Sequence, residues 1–457
     1  MNSFVHHGKW WVASRPEKEV AGTLSFDQEN GLRLSLIGSF DDTDPDGDIN
    51  TDPWREYPLV LGLTSDGHMI SLQYCSVIRY GNNHLLRGGK SHSFPQEELH
   101  ATYGLLETHF DGPDDVHFPK GCLEFSHAAE WAARHDFVSE RIRGADGLRG
   151  THTFTYTPPE SVVAATPSAT IKVAFEFSER TVKYREAVVK QKVKLYVEAT
   201  EDVPLKDWNR RFIYPLQTFL SLATDQWNSL DAFGVFSPRI GHFTQIYGHL
   251  PDNQDADIPV EIPVYFRPAN RSENDNENTH VQPLFRLKDV QDDLSGVLSR
   301  WFGIWDRYES ACDLFFGVML TPRMFHRHQF LNIAQAAESF HRAKYPTARR
   351  RDEPGYEDQL RNLIQFTADI LPGAPRRQTR FVDVAVDTRH SYSHGGLADK
   401  ANVVHGDDLR QLVDDMAYLV TACFLKELEL PSPLYPKMFQ DNFRFQRTEF
   451  NRHGRPW

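Results

Sequence analysis

Asp387-Thr388-Arg389-His390-Ser391-Tyr392-Ser393-His394-Gly395-Gly396 gathers a fixed cation, two imidazoles, hydroxyls and a phenol, then stops on two glycines. The short apolar run Phe381-Val382-Asp383-Val384-Ala385-Val386 precedes it, and an apolar-periodic run from Asp407 to Leu428 follows. Titratable groups concentrated where two helical segments meet are where a helical domain exposes chemistry. An ideal helix sets Arg389 and His394 about 140° apart around its axis. They converge on one substrate only if the helix breaks near Ser393, and Gly395-Gly396 is the expected stop. A polar helix end with a solvated imidazole is the bland alternative.

Spacing alone does not choose between them. Arg-x4-His occurs at Arg79/His84, Arg87/His92, Arg323/His328 and Arg389/His394. The first two are read across turns at Gly81-Asn82-Asn83 and Gly88-Gly89, and the third opens a helix after Pro322. Only Arg389/His394 joins a helical run-in, a glycine stop and basic loops close in sequence.

Around this stretch the periodicity is helical, with helices expected over Val290–Phe316, Gln329–Lys344, Glu357–Leu371, Arg380–Ser391 and Asp407–Glu427. Pro346, Pro354, Pro372 and Pro375 fall between them as breakers. Upstream, to about residue 265, alternation predicts strands at Gly22–Phe26, Leu32–Leu36, Leu59–Leu63, His68–Val77, Thr151–Tyr156, Thr170–Phe177, Val189–Val197 and Val260–Tyr265. Asp46-Gly47 and Asp66-Gly67 read as turns, and Ser126–His135 and Trp208–Ala223 as helical insertions. The fold class is therefore α+β, a sandwich-like β-rich domain followed by an all-α bundle. The polar stretch Pro268–Asn278 marks the boundary, giving domains 1–270 and 281–457.

Net charge is −13 over 457 residues, and it is uneven. Residues 281–457 hold 24 Lys+Arg against 23 Asp+Glu, which leaves residues 1–280 at −14. The acidic half is a poor platform for phosphate backbones. In the near-neutral half, Arg349-Arg350-Arg351 and the loop Pro372–Arg380 with Arg376, Arg377 and Arg380 have the form of a phosphate-tracking surface; simple solubility is the alternative. Four scattered cysteines without a Cys-x-x-Cys and a start without an apolar signal core point to a reduced, cytoplasmic chain. No apolar run approaches the roughly 20 residues that span a bilayer. Asp42–Asp48 imitates a calcium loop, but Pro53 stands where the bidentate Glu belongs, so an acidic hairpin loop is expected. His326-Arg327-His328 lacks a further ligand at metal spacing and reads as a helix start. Gly-x-Ser-x-Gly and Walker-type glycine loops are absent.

Arg389-His390-Ser391-Tyr392-Ser393-His394, together with Phe330-Leu331-Asn332-Ile333-Ala334-Gln335-Ala336-Ala337-Glu338-Ser339-Phe340-His341-Arg342 and the acidic β-rich front half, resembles the ApeA group of the HEPN superfamily. HEPN domains are all-helical, and many are metal-independent ribonucleases carrying Arg-x4–6-His. The position after the Arg is often Asn in that family; here it is His390. The resemblance implies an anti-phage ribonuclease with Arg389 and His394 catalytic, and with His390, Ser391, Tyr392, Ser393 and Glu338 in support. It implies no cofactor and no metal. The expected partners are RNA (tRNA among the candidates), a second copy of the chain, and a phage-derived trigger at the N-terminal domain; no membrane is expected. The residue types suit the chemistry. Attack of a 2′-hydroxyl on its own 3′-phosphate needs a proton carrier near neutral pKa, which His supplies. It also needs a planar, permanent cation for the phosphoryl oxygens, which Arg supplies. Two motifs facing each other in a homodimer would supply acid, base and two cations. A non-catalytic RNA- or protein-binding scaffold is the alternative, and a β-sandwich ligand-binding protein with a helical oligomerisation tail is a third reading.

Overall fold

The computed structural model describes residues 3–41, 55–87, 90–134, 137–143, 150–182, 186–241, 258–267, 281–321, 323–347, 353–371, 373–394, 402–440, 442–446 and 448. The expected hairpin loop at Asp42–Asp48, the boundary stretch Pro268–Asn278 and the Arg349–Arg351 cluster lie outside the described residues.

The front half is β-rich and the back half helical. The expected layering takes the form of a closed barrel beside an open sheet. Six antiparallel strands form the barrel: β1 (Phe4–Val12), β2 (Val20–Asp27), β3 (Gly31–Ile37), β4 (Glu56–Thr64), β5 (Met69–Arg87) and β6 (Lys90–Leu106). Each pairs with two others, in the ring β1-β2-β3-β6-β5-β4. Along β2, Val20, Gly22, Leu24 and Phe26 face inward while their neighbours face out, the two-residue period of a strand with one wet face. Trp10 fills the interior, fully buried, and its ring presses on Gly62, where a Cβ would lie 2.2 Å from the indole carbons. Only glycine fits beneath it. Asp66-Gly67 makes the β4–β5 turn as expected, with Gly67 at φ +93. Gly81-Asn82-Asn83 is not a turn but part of β5, paired register by register with β6 as far as Arg87 and Lys90.

The open sheet runs in the order β10-β11-β12-β7-β13-β14, from β7 (His117–Phe125), β10 (Val162–Ala165), β11 (Ala169–Val182), β12 (Glu186–Pro204), β13 (Leu230–Phe236) and β14 (Ile262–Tyr265). Through β14 it touches β6 by Val264–Leu105 and Tyr265–Gly104. A separate ribbon pairs β8 (Phe137–Arg143) with β9 (Gly150–Tyr156). On the sheet lie α1 (Ala128–Ala132), α2 (Leu205–Trp208) and α3 (Tyr214–Thr224), the last two joined by a π-helical turn at Asn209–Ile213.

The helices that follow are α4 (Leu287–Val290), α5 (Leu294–Leu320), α6 (His326–Lys344), α7 (Tyr356–Phe366), α8 (Ala374–His394), α9 (Gly406–Glu427), α10 (Tyr435–Gln440) and α11 (Phe443–Gln446). Trp301 of α5 is fully buried, and its Nε1 donates to the Pro215 carbonyl of α3 at 2.6 Å. Phe315, Phe316, Phe340 and Phe424 complete an aromatic centre around it. One apolar core thus runs from the open sheet into the helices, whereas the barrel interior is a second, separate core. All four cysteines are buried and free. No helix among the described residues is long and apolar enough to cross a membrane.

Candidate functional site

Helix α8 carries the motif, and its sequence explains both its seating and its limits. Phe381, Val382, Ala385 and Thr388 are buried on one stripe, the i, i+1, i+4, i+7 spacing of a core-facing helix. Pro375 does not break the helix; it is the second residue, where a missing N–H costs nothing. Arg376 and Arg377 are therefore in the first turns of α8 and not in a loop, and Arg380 on the same helix is exposed.

Arg389 leaves the edge of the buried stripe half-buried. Its Nη2 donates to Glu338 Oε2 of α6 at 2.5 Å, and its guanidinium carbon lies 4.3 Å from the centre of the Tyr356 ring. Glu338, 13% exposed, accepts on its other oxygen from Arg342 Nη2 at 2.8 Å; Arg342 Nε in turn reaches Glu353 Oε2 at 3.1 Å. Two arginines thus share one carboxylate, and the Tyr356 ring fixes the plane of the first. Burial pushes the Tyr356 phenol above its ordinary range, and Arg389 pulls against it. A guanidinium held by one edge and one face keeps its remaining N–H groups in a set direction.

One turn on, Tyr392 is also held. Its hydroxyl donates to the Val404 carbonyl at 2.8 Å and lies 2.8 Å from His405 Nδ1. Arg327 covers its ring at 4.6 Å and donates to its carbonyl oxygen. Burial raises this phenol too, against the Arg327 charge. Buried Thr388 accepts from the Val404 N–H, and Asp387 accepts from Asn402. The strand of chain before α9 is thereby strapped along the last turns of α8.

The helix is unbroken through His394, so the expected break near Ser393 does not occur. Arg389 and His394 stand five helical positions apart, about 140° around the axis. His390 and Ser393 are exposed, Ser391 is half-buried, and Gly395-Gly396 lie outside the described residues. His326 does open α6. Sequence reading missed Tyr356, Arg342 and Glu353. Tyr356 begins a helix and carries no motif; only its place beneath Arg389 marks it. Arg327 was visible, but inside a triplet weighed as metal ligands.

A family model described as ApeA N-terminal domain 1 matches residues 5–301, and one described as Apea-like HEPN matches residues 331–434. No curated protein and no solved structure matches the chain.

Proposed function

The chain belongs to the proteins that join an ApeA N-terminal domain to an Apea-like HEPN domain, and on that premise we propose that it is an anti-phage ribonuclease. In this reading it cleaves RNA internally and without metal, by attack of a 2′-hydroxyl on the adjacent phosphate. The observation that carries it is Arg389, oriented by Glu338 and Tyr356 with N–H groups to spare. Such a group can stabilise charge developing on phosphoryl oxygens without reorganising at the moment of reaction. His394 moves the proton.

Because α8 continues through His394, one helix does not aim both groups at the same phosphate. A second copy of α8 would bring the missing partner, so the active species is a homodimer. Arg376, Arg377 and Arg380 sit on the same helix, Arg380 about 13 Å along the axis from Arg389, and with Arg349, Arg350 and Arg351 they bind the RNA backbone. Residues 1–270 sense a phage-derived trigger and restrain residues 281–457, which cut; tRNA is among the candidate substrates.

Incubating the protein with total RNA in EDTA tests this. Cleavage is expected, lost in His394→Ala and strongly reduced in Arg389→Lys, because lysine is a point charge without the planar fork. RNA binding without cleavage would establish the scaffold reading. Full activity in a folded His394→Ala protein would remove that residue from the mechanism.

A further inference from the structure

Where the barrel, the open sheet and α5 meet, they enclose a cavity of about 650 Å³. That volume lies within the range of sites for small organic ligands. Its floor is apolar, made by Leu205, Ile213, Leu230 and Phe233, all buried. Half-buried Tyr103 of β6 and Phe266 after β14 extend the floor into an aromatic wall, the Phe266 ring lying 6.0 Å from Tyr103 and 6.3 Å from Phe233. The π-helical turn Asn209–Ile213 places both of its end residues in the lining, and such turns gather at functional sites.

One polar group stands in that floor. Gln217 of α3 is 6% exposed, and its Nε2 donates to the Asn228 carbonyl at 2.6 Å. A carbonyl only accepts, so the orientation of the amide is fixed. Its Oε1 meets no donor among the described residues, yet it is not sealed in the core. Gln217 lines the cavity, so this oxygen opens onto it as an acceptor without a donor. Two exposed charges of opposite sign stand at the rim. Arg267, on the barrel side, makes no ion pair among the described residues. His100 beside it is held neutral, first by burial and then by Arg267 and Arg33. Asp313 of α5 accepts no hydrogen bond among the described residues; Arg210, a cation that acts on it, pairs with Glu309 at 3.1 Å.

A ligand that satisfies all of these groups has an aromatic ring for the floor, a ring-borne N–H or O–H for Gln217 Oε1, a carboxylate for Arg267 and an ammonium for Asp313. We propose that the cavity binds a free aromatic α-amino acid whose ring carries a donor, tryptophan or tyrosine. An aromatic acid would meet Asp313 with no charge to offset it, and an aromatic amine would leave Arg267 unpaired. The ammonium and carboxylate stay at the rim, where both protein charges reach solvent, and the ring is the part that loses water. Such a ligand touches β6, β13 and α5 together, the joint between the sheet and the helices. The inference stands apart from the ribonuclease reading, since binding is measured on the chain without RNA.

Isothermal titration calorimetry on the full chain tests the site with tryptophan, tyrosine, phenylalanine, tryptamine and indole-3-propionate. Tryptophan and tyrosine are expected to bind about tenfold more tightly than phenylalanine, which covers Gln217 Oε1 without matching it. Arg267→Gln should weaken tryptophan about threefold and should not weaken tryptamine, which has no carboxylate. Asp313→Asn should weaken tryptophan and tryptamine about threefold and should not weaken indole-3-propionate, which has no ammonium. Both positions are exposed, so neither change puts the fold at risk. Absence of tryptophan and tyrosine binding, equal binding of phenylalanine, or a charge variant that fails to separate the ligands in this way would overturn the site.

Discussion

The barrel and the sheet-helix body solve the burial problem in opposite ways. The barrel closes on itself and keeps Trp10, Leu24, Phe26, Leu34 and Leu72 in a core of its own. The open sheet instead buries its face under α3 and α5, so that Phe219, Trp301 and Phe424 belong to one continuous core. A polar knot reinforces the second arrangement. Asp225, at the end of α3, accepts from Tyr418 of α9 at 2.6 Å and from Asn442 at 3.0 Å, with Arg444 3.5 Å away. The difference teaches where a signal can travel. A change in the open sheet is felt by the helices directly, whereas one inside the barrel must first cross its wall.

The largest effect is expected at the shared core. Trp301→Ala should cost about 3–5 kcal/mol and lower the unfolding midpoint of sheet and helices together, followed by far-UV and near-UV circular dichroism. Separate melting of sheet and helices would break the contrast at its root. Leu34→Ala, inside the barrel, should cost about 2–5 kcal/mol, yet hydrogen exchange should quicken only in β1–β6. Faster exchange in α9 would mean that the two cores are coupled after all. Tyr418→Phe removes one donor from buried Asp225 and should cost about 1–3 kcal/mol, seen as faster exchange at both α3 and α9. A response confined to α9 would show the knot to be local.

Acidity should give the smallest and most selective effect. Three carboxyls of the barrel region lie below their ordinary value of 3.8: Asp27 through N–H donors from Asn30, Asp66 through Thr64, and Asp41 because donors from Arg15 and Arg55 outweigh its burial. Each holds fewer protons folded than unfolded, so its stabilisation is full above pH 3.8 and fades as pH falls through the lower, folded value. Asp313 of α5 is raised, by burial and then by Glu309. Its sign is reversed, and its penalty grows as pH rises above 3.8. Between pH 5 and 3 the barrel should therefore loosen before the body, in hydrogen exchange after acid pulses. The opposite order would contradict this assignment of charges.

Much of this contrast could be read in the sequence, but not its geometry. The five long helices follow from apolar spacing, and strands such as β2 and β3 from alternation. Barrel closure could not be read, because it depends on β1 pairing with β4 and β3 with β6 across tens of residues. The length of β5 was hidden by Gly81-Asn82-Asn83, a turn signal that tertiary pairing overrode. At the site, Arg389 and Glu338 could be found through a family resemblance. Tyr356 and Glu353 could not, since an aromatic ring under a guanidinium leaves no local pattern. The end of α8 was placed at Ser391, three residues short of His394, because apolar spacing runs out before the helix does.

Gly62 beneath Trp10 and the two-pair contact of β14 with β6 have a consequence for descent. Substitution can recut the outer face of β2 and β3 without repacking any residue that supports Arg389. It cannot alter the lining so freely, because the Trp10 indole already crowds Gly62 and Gly22. Divergence among relatives should then gather on the barrel's wet surface, while the sheet-helix body is inherited as a block.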